Sequence, residues 1–176
     1  MEQNKLNINS YNTNLNSQFT FENFVKGENN LFAYNIAKAA AQHPGIYYNP
    51  IFIYGDVGLG KTHLLQAIGN QLKDTHNVIY ESSEHFINNF TNNNLYSIYK
   101  KYIQSDILLI DDIQILLKKE KMQEKFLYIL NKFISYENEK QICVTADKHP
   151  SEILGLNKKI RAIFEQGVIA EIQNKI

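Results

Sequence analysis

The apolar positions along the chain fall into short blocks of two kinds, and their alternation sets the expected fold. Ile51 to Tyr54 is an unbroken apolar run between Pro50 and Gly55, the pattern of a strand buried on both faces of a parallel sheet. Asn77 to Tyr80, Ile107 to Ile110, Gln141 to Thr145 and Val168 to Ile172 are further largely apolar blocks of four or five residues. Between them the spacing is helical. Leu31 to Gln42 is rich in alanine and stops ahead of His43, Pro44 and Gly45, a terminating cluster. Lys61 to Leu72 carries Leu64, Leu65, Ile68 and Leu72 on one face, and Gln123 to Tyr136 carries Phe126, Ile129, Leu130 and Phe133, each an amphipathic stripe. Two further helices are predicted at about Glu84 to Phe90 and Leu95 to Ile103. Strands alternating with helices predict an α/β fold, a doubly wound and mostly parallel five-stranded sheet sandwiched by helices.

Residues 1–18 do not join this pattern. They are polar, rich in asparagine and poor in apolar side chains, too poor to offset the entropy of ordering. They predict a disordered arm ahead of one domain over 19–176, which Phe19, Phe21, Phe24 and Val25 open with apolar anchors. The 176 residues suit one core. No apolar run reaches the roughly 18 to 20 residues of a membrane span, and the N-terminus has no apolar signal core. Cys143 is the only cysteine, which excludes an internal disulfide and suits a reducing cytoplasm. Net charge is zero, so no global basic field marks a nucleic-acid binder. Of the 18 basic residues only Arg161 is arginine, the side chain best built to reach a phosphate.

Chemistry enters at the junction of the first strand and the helix after it. Gly55, Asp56, Val57, Gly58, Leu59, Gly60, Lys61 and Thr62 satisfy G-x-x-x-x-G-K-[ST] in its strand–loop–helix setting. Glycines let the backbone curl so that successive N–H groups face phosphate oxygens, and the helix N-terminus adds its dipole. Lys61 is suited to the β- and γ-phosphates and Thr62 to Mg²⁺. Chance produces such a match in a chain of this size on the order of once in a few hundred. His63 follows the loop, and a structural role on the helix suits it better than that of a base.

A second motif, Ile107, Leu108, Leu109, Ile110, Asp111 and Asp112, carries two carboxylates to the sheet edge where open α/β sheets bind ligands. Asp111 is the candidate for holding Mg²⁺ through water and Asp112 for polarising an attacking water; the plainer alternative is a helix N-cap. Thr145, Ala146 and Asp147 close the fourth strand, and such a cluster either touches the γ-phosphate or simply caps the turn before Pro150. Lys118, Lys119 and Lys121 around Glu120 suit a solvated turn. Lys100 and Lys101, interleaved with Tyr96, Tyr99 and Tyr102, offer single-stranded DNA a face for charge and stacking.

Together these segments resemble the AAA+ domain of DnaA-type bacterial replication initiators. The likeness runs over residues 19–172 and rests on Phe19 to Val25, Tyr48 to Gly55, Gly58 to Asn70, Leu108 to Gln114 and the outline of Phe164 to Ile172. It implies a P-loop NTPase that binds ATP or ADP with Mg²⁺. The segment from Val25 to Asn30 would lie by the adenine, and Asp147 would match the first nucleotide sensor. Implied partners are a second copy of the chain, a full-length initiator, a helicase or single-stranded DNA, in a bacterial cytoplasm.

Departures from the family pattern qualify the implied activity. The family's R-F-x-x-G arginine, which acts on a neighbouring subunit's ATP, is replaced by Ile163. Arg161 lies two residues away, about 200° around a helix. Such a finger is worth roughly 10³ to 10⁵ in rate, so weak hydrolysis is expected. The helical lid with its sensor arginine and the helix-turn-helix of the family do not occur within these 176 residues. The alternatives left open are a degenerate, non-enzymatic paralogue and a helicase-loader-type ATPase.

Overall fold

The computed structural model describes residues 14–135 and 140–174. Five strands form one sheet: β1 (Ile51–Tyr54), β2 (Val78–Ser82), β3 (Ile107–Asp111), β4 (Gln141–Ala146) and β5 (Val168–Glu171). Their spatial order is β2-β3-β4-β1-β5, and every neighbouring pair is parallel. The sheet expected to be mostly parallel is parallel throughout. Each return to the sheet passes through at least one helix, so no two strands meet in a hairpin.

The two faces of the sheet read alternate residues of the same strands. Phe52, Leu108, Ile110, Ile142 and Val144 point to one core, shared with α3 (Ser83–Asn92), α4 (Leu95–Gln104), α6 (Glu120–Ser135) and α7 (Lys158–Gln166). Ile51, Ile53, Ile107, Leu109 and Cys143 point to the other, shared with α1 (Leu31–Gln42) and α2 (Lys61–Leu72). This double burial is why the strands are continuously apolar rather than alternating. On α1 the buried positions are Ala33, Ile36, Ala37, Ala40 and Ala41, and the small alanine side chains bring it close to α2.

Several boundaries differ from expectation. The helix predicted from Gln123 begins at Glu120, because its first turn is charged and carries no apolar stripe ahead of Met122. Lys121 is thus helical, while Lys118 and Lys119 remain on the surface as expected. Tyr136, predicted as helix, lies outside the described residues. The four-residue α5 (Gln114–Leu117) and a 3₁₀ turn at Pro150–Glu152 were not expected, being too short to show a period.

The polar arm is corrected more substantially. Residues 1–13 lie outside the described residues, but Asn14 to Gln18 belong to the fold. The Asn16 N–H donates to Gln66 Oε1 at 2.7 Å, and Asn70 Nδ2 donates to the carbonyls of Asn16 and Phe19 at 2.8 and 3.0 Å. Leu15 packs on Gly69, where a Cβ would come within 2.9 Å of the leucine side chain. Side-chain amides of α2 grip the backbone of this strap, and composition alone hides that support.

At the far edge of the sheet Glu81 of β2 is only 7% exposed. Its carboxylate accepts from Lys101 Nζ and Tyr102 Oη at 2.5 Å each and from Asn89 Nδ2 at 3.1 Å. This network ties α3 and α4 to β2, and a buried carboxylate requires such partners. Lys101→Met is expected to destabilise the fold by about 1–3 kcal/mol, measured by urea unfolding. With Glu81→Gln already in place, the same change should cost well under about 1 kcal/mol. Equal costs in the two backgrounds would show that the ion pair contributes nothing.

Candidate functional site

The loop from Gly55 to Gly60 leaves the C-terminal end of β1 and feeds α2. Gly60 has φ 94°, a left-handed conformation that glycine adopts without strain. A Cβ there would stand 2.9 Å from the Phe24 ring. No side chain caps the N-terminus of α2, and its first turn holds no acid, so its N–H groups are available to an anion. Lys61 is 7% exposed, and its Nζ donates to the carbonyls of Gly55 and Asp56 at 2.7 Å each. Val57 is exposed at the loop tip, and Gly58 and Leu59 line the cavity described below. Asp56 is exposed, and its carboxylate accepts from Asn174 Nδ2, which turns the charge away from the loop interior.

Asp111 ends β3, is 6% exposed, and is surrounded by hydroxyls. Oδ2 accepts from Thr62 Oγ1 at 2.6 Å and from Tyr80 Oη at 3.2 Å. Oδ1 accepts from the Thr145 hydroxyl, which also accepts from the Asp112 N–H at 2.9 Å. Asp112 holds φ 54°, unusual for a residue other than glycine. The turn is pinned by Ser83 Oγ on the Asp112 carbonyl at 2.9 Å and by the Ile113 N–H on the Thr145 carbonyl at 2.8 Å. Burial, followed by repulsion from Asp111, raises the Asp112 pKa above its usual 3.8. Burial and the Asp111 charge likewise raise that of the Tyr80 hydroxyl, so it remains a proton donor.

A cavity of about 430 Å³ opens beside the loop, with Phe24, Val25, Asn30, Gly58, Gly60 and His63 in its wall. Asn30 shapes it: Oδ1 accepts from the Gly27 N–H at 2.9 Å and Nδ2 donates to the Val25 carbonyl at 3.0 Å. His63 stacks on Phe19 with centroids 4.9 Å apart, meets Phe24 edge-on and bonds the Thr20 carbonyl at 2.7 Å. Its ring therefore joins the N-terminal strap to α2 while lining the cavity. Asp147 stands on the other side of the loop, half-buried in a cleft of about 300 Å³ with Gly55 and Asp56.

Three groups of residues singled out in the sequence have definite places in the structure. Thr145 is fully buried behind Asp111 and does not face a phosphate, because its hydroxyl is committed to holding β3 and the following turn; of that cluster only Asp147 is accessible. The aromatic and lysine face is largely structural: Tyr102 is fully buried, Lys101 is paired with Glu81, and Tyr99 packs on Phe90 and Tyr128. Tyr96, 73% exposed, and Lys100 remain on the surface. Ile163 packs against the core, whereas Arg161 is exposed and bonded to Glu165 at 2.8 Å. Sequence reasoning missed Tyr80 and Gln66, whose importance appears only when the parallel register sets β2 beside β3, with Ser82 opposite Asp111.

The bacterial DnaA ATPase domain family matches residues 15–171. Chromosomal replication initiator protein DnaA of Nautilia profundicola is 49% identical over 160 residues, 89% of this chain and 36% of that protein. The Campylobacter jejuni subsp. jejuni protein of the same name is 46% identical over 172 residues, 94% of this chain and 39% of that protein. The chain thus spans well under half the length of these relatives. Among solved structures, AMPPCP-bound DnaA from Aquifex aeolicus superposes with TM-score 0.83 at 41% identity, covering 90% of this chain and 51% of that one. A replication initiator DnaA bound to AMPPCP and single-stranded DNA gives 0.84 at 40% identity, covering 92% and 51%. The DnaC helicase loader, at TM-score 0.70 and 17% identity over 88% of this chain and 97% of that one, shares the fold alone. Family match, identity and superposition agree, and the chain belongs to the bacterial DnaA family over the part that forms the ATPase domain.

Proposed function

We propose that this chain binds ATP with Mg²⁺ between the Gly55–Thr62 loop and Asp111, hydrolyses it slowly, and serves as a nucleotide switch in chromosomal replication initiation or its regulation. The observation that carries the reading is the convergence of Lys61, Thr62 and Asp111 at an uncapped helix N-terminus, beside a cavity of about 430 Å³. The donor set fits the ion: a threonine hydroxyl and a carboxylate are hard oxygens. Among the described residues no three His, Cys, Asp or Glu side chains converge, which suits Mg²⁺, an ion that keeps several waters and takes phosphate oxygens. The relatives with AMPPCP named in their structures support the nucleotide assignment.

In this reading Lys61 moves from the Gly55 and Asp56 carbonyls to phosphate oxygens, and the loop N–H groups orient the phosphates. Val25 and Asn30 wall the base. Thr62 and Asp111 hold the ion, which supplies charge neutralisation at the phosphates. Asp112, with its raised proton affinity, orients and polarises the attacking water, and Asp147 lies on the γ-phosphate side. Hydrolysis is slow because Ile163 offers no charge and Arg161 is engaged with Glu165. Self-association and contacts with a full-length initiator, a helicase or single-stranded DNA are further parts of the proposal. The DNA part draws on the relative bound to single-stranded DNA and on exposed Tyr96 and Lys100. A second reading, a subunit that holds nucleotide passively, is favoured by Ile163 alone. Single-turnover hydrolysis that rises more steeply than protein concentration would count against it.

Lys61→Ala is expected to weaken ATP binding about 10- to 100-fold, the loss of one charge-assisted contact; equilibrium binding showing wild-type affinity would remove Lys61 from the site. Asp112→Asn should keep ATP affinity and lower hydrolysis by about 10² to 10⁴, while raising the thermal midpoint at pH 7. The sign follows from the raised pKa: ionisation is harder in the fold than in the unfolded chain, so stability is lost as pH rises through the folded value. The stabilisation by asparagine should therefore disappear below the usual 3.8. Unchanged turnover in Asp112→Asn would exclude it as the water-activating group.

A further inference from the structure

We infer that Tyr80 is a positioning residue for Asp111, and that Gln66 in turn fixes Tyr80 and couples the metal-binding carboxylate to the N-terminal strap. This rests on the reading of Asp111 as a ligand of Mg²⁺. The two donors on Oδ2 are unequal in kind. Thr62, 2.6 Å away, is itself a candidate ligand and must turn its hydroxyl oxygen toward an ion to bind it. Tyr80, 3.2 Å away, has no such second task. Its hydroxyl sits at the tip of a rigid ring carried by β2, whose neighbour is β3, so it stays on Oδ2 when Thr62 turns away. Thr145 does the same for Oδ1. Asp111 then presents a fixed face to the ion, and groups behind a metal ligand set its orientation and basicity.

Gln66 supplies the link to the strap. It is 5% exposed on α2, and its Oε1 accepts the Asn16 N–H at 2.7 Å. That leaves the Nε2 donors, and the Gln66 amide lies beside the Tyr80 hydroxyl. Neighbouring groups therefore run from the Asn16 backbone through Gln66 and Tyr80 to Asp111. The same strap reaches His63 at Thr20 and the base cavity at Phe24. One segment thus braces both the cavity wall and the carboxylate.

The test compares the Kd for ATP in excess Mg²⁺ with the Kd in EDTA, in wild type, Tyr80→Phe and Gln66→Met. Phenylalanine keeps the ring, and methionine keeps the length of the glutamine. In Tyr80→Phe the ratio of the EDTA to the Mg²⁺ constant should fall about tenfold, the lower end of what losing a group behind a metal ligand costs, with the EDTA constant unchanged. Gln66→Met should lower the ratio in the same direction by a smaller factor. An unchanged ratio overturns the inference, as does an equal loss with and without Mg²⁺, which is what a purely structural role predicts. If Tyr80→Phe does not fold, Gln66→Met decides, and an unchanged ratio there is equally fatal. Wild type that binds no ATP, or gains nothing from Mg²⁺, overturns the underlying reading of the site, and it is told apart because the wild-type arm itself fails.

Discussion

A carboxylate buried at the end of a strand has to be met by donors, and Asp111 is met by hydroxyls from three separate elements. Thr62 comes from α2, Tyr80 from β2 and Thr145 from β4. Each bond crosses between segments far apart in the chain, so the charge acts as a fastener for the sheet edge. Without those donors the buried charge would be costly to hold. With them it remains an acceptor at the spot where the Gly55–Gly60 loop ends. The order β2-β3-β4-β1-β5 makes the arrangement possible, because it sets β3 between two hydroxyl-bearing neighbours and keeps β1 within one strand of it.

The neighbouring acid is handled in the opposite way. Asp112 receives little hydrogen bonding on its own carboxylate, the nearest donor being Gln114 Nε2 at 3.4 Å. Its backbone is instead held in a left-handed turn by Thr145 and Ser83. Adjacent residues thus have separated environments, one carboxylate saturated with donors and the other raised in proton affinity by burial and by its neighbour. Divergent environments for paired acids are how a site divides binding from proton handling.

Much of this was legible in the sequence. Wholly apolar runs of strand length can belong only to a sheet covered on both faces, and their alternation with helical stripes gave the layers. The Gly55–Thr62 motif was legible because its glycines, Lys61 and Thr62 are neighbours in the chain. The supports were not. Tyr80, Gln66 and Thr145 matter through contacts across the sheet or between layers, and nothing local distinguishes them from filler. For Thr145 the strand-end position left a phosphate contact and a turn cap both open, and only the three-dimensional register shows its hydroxyl turned inward. The strap from Asn14 to Gln18 was hidden for a related reason: its own composition is that of disordered chain, and its partners lie on α2.

That strap has a consequence for how the segment can change. The hydrogen bonds from Gln66, Asn70 and His63 reach its main-chain atoms at Asn16, Phe19 and Thr20, while Leu15 and Phe19 add side-chain contacts with Gly69 and His63. The helix recognises the path of the strap through these hydrogen bonds, and the two apolar side chains seat it. Substitutions at Asn16 or Thr20 leave the main-chain partners of these bonds in place, whereas a change at Asn70 or Gln66 removes a donor or acceptor from the helix. The evolutionary freedom of one segment is in this way stored in the fidelity of another.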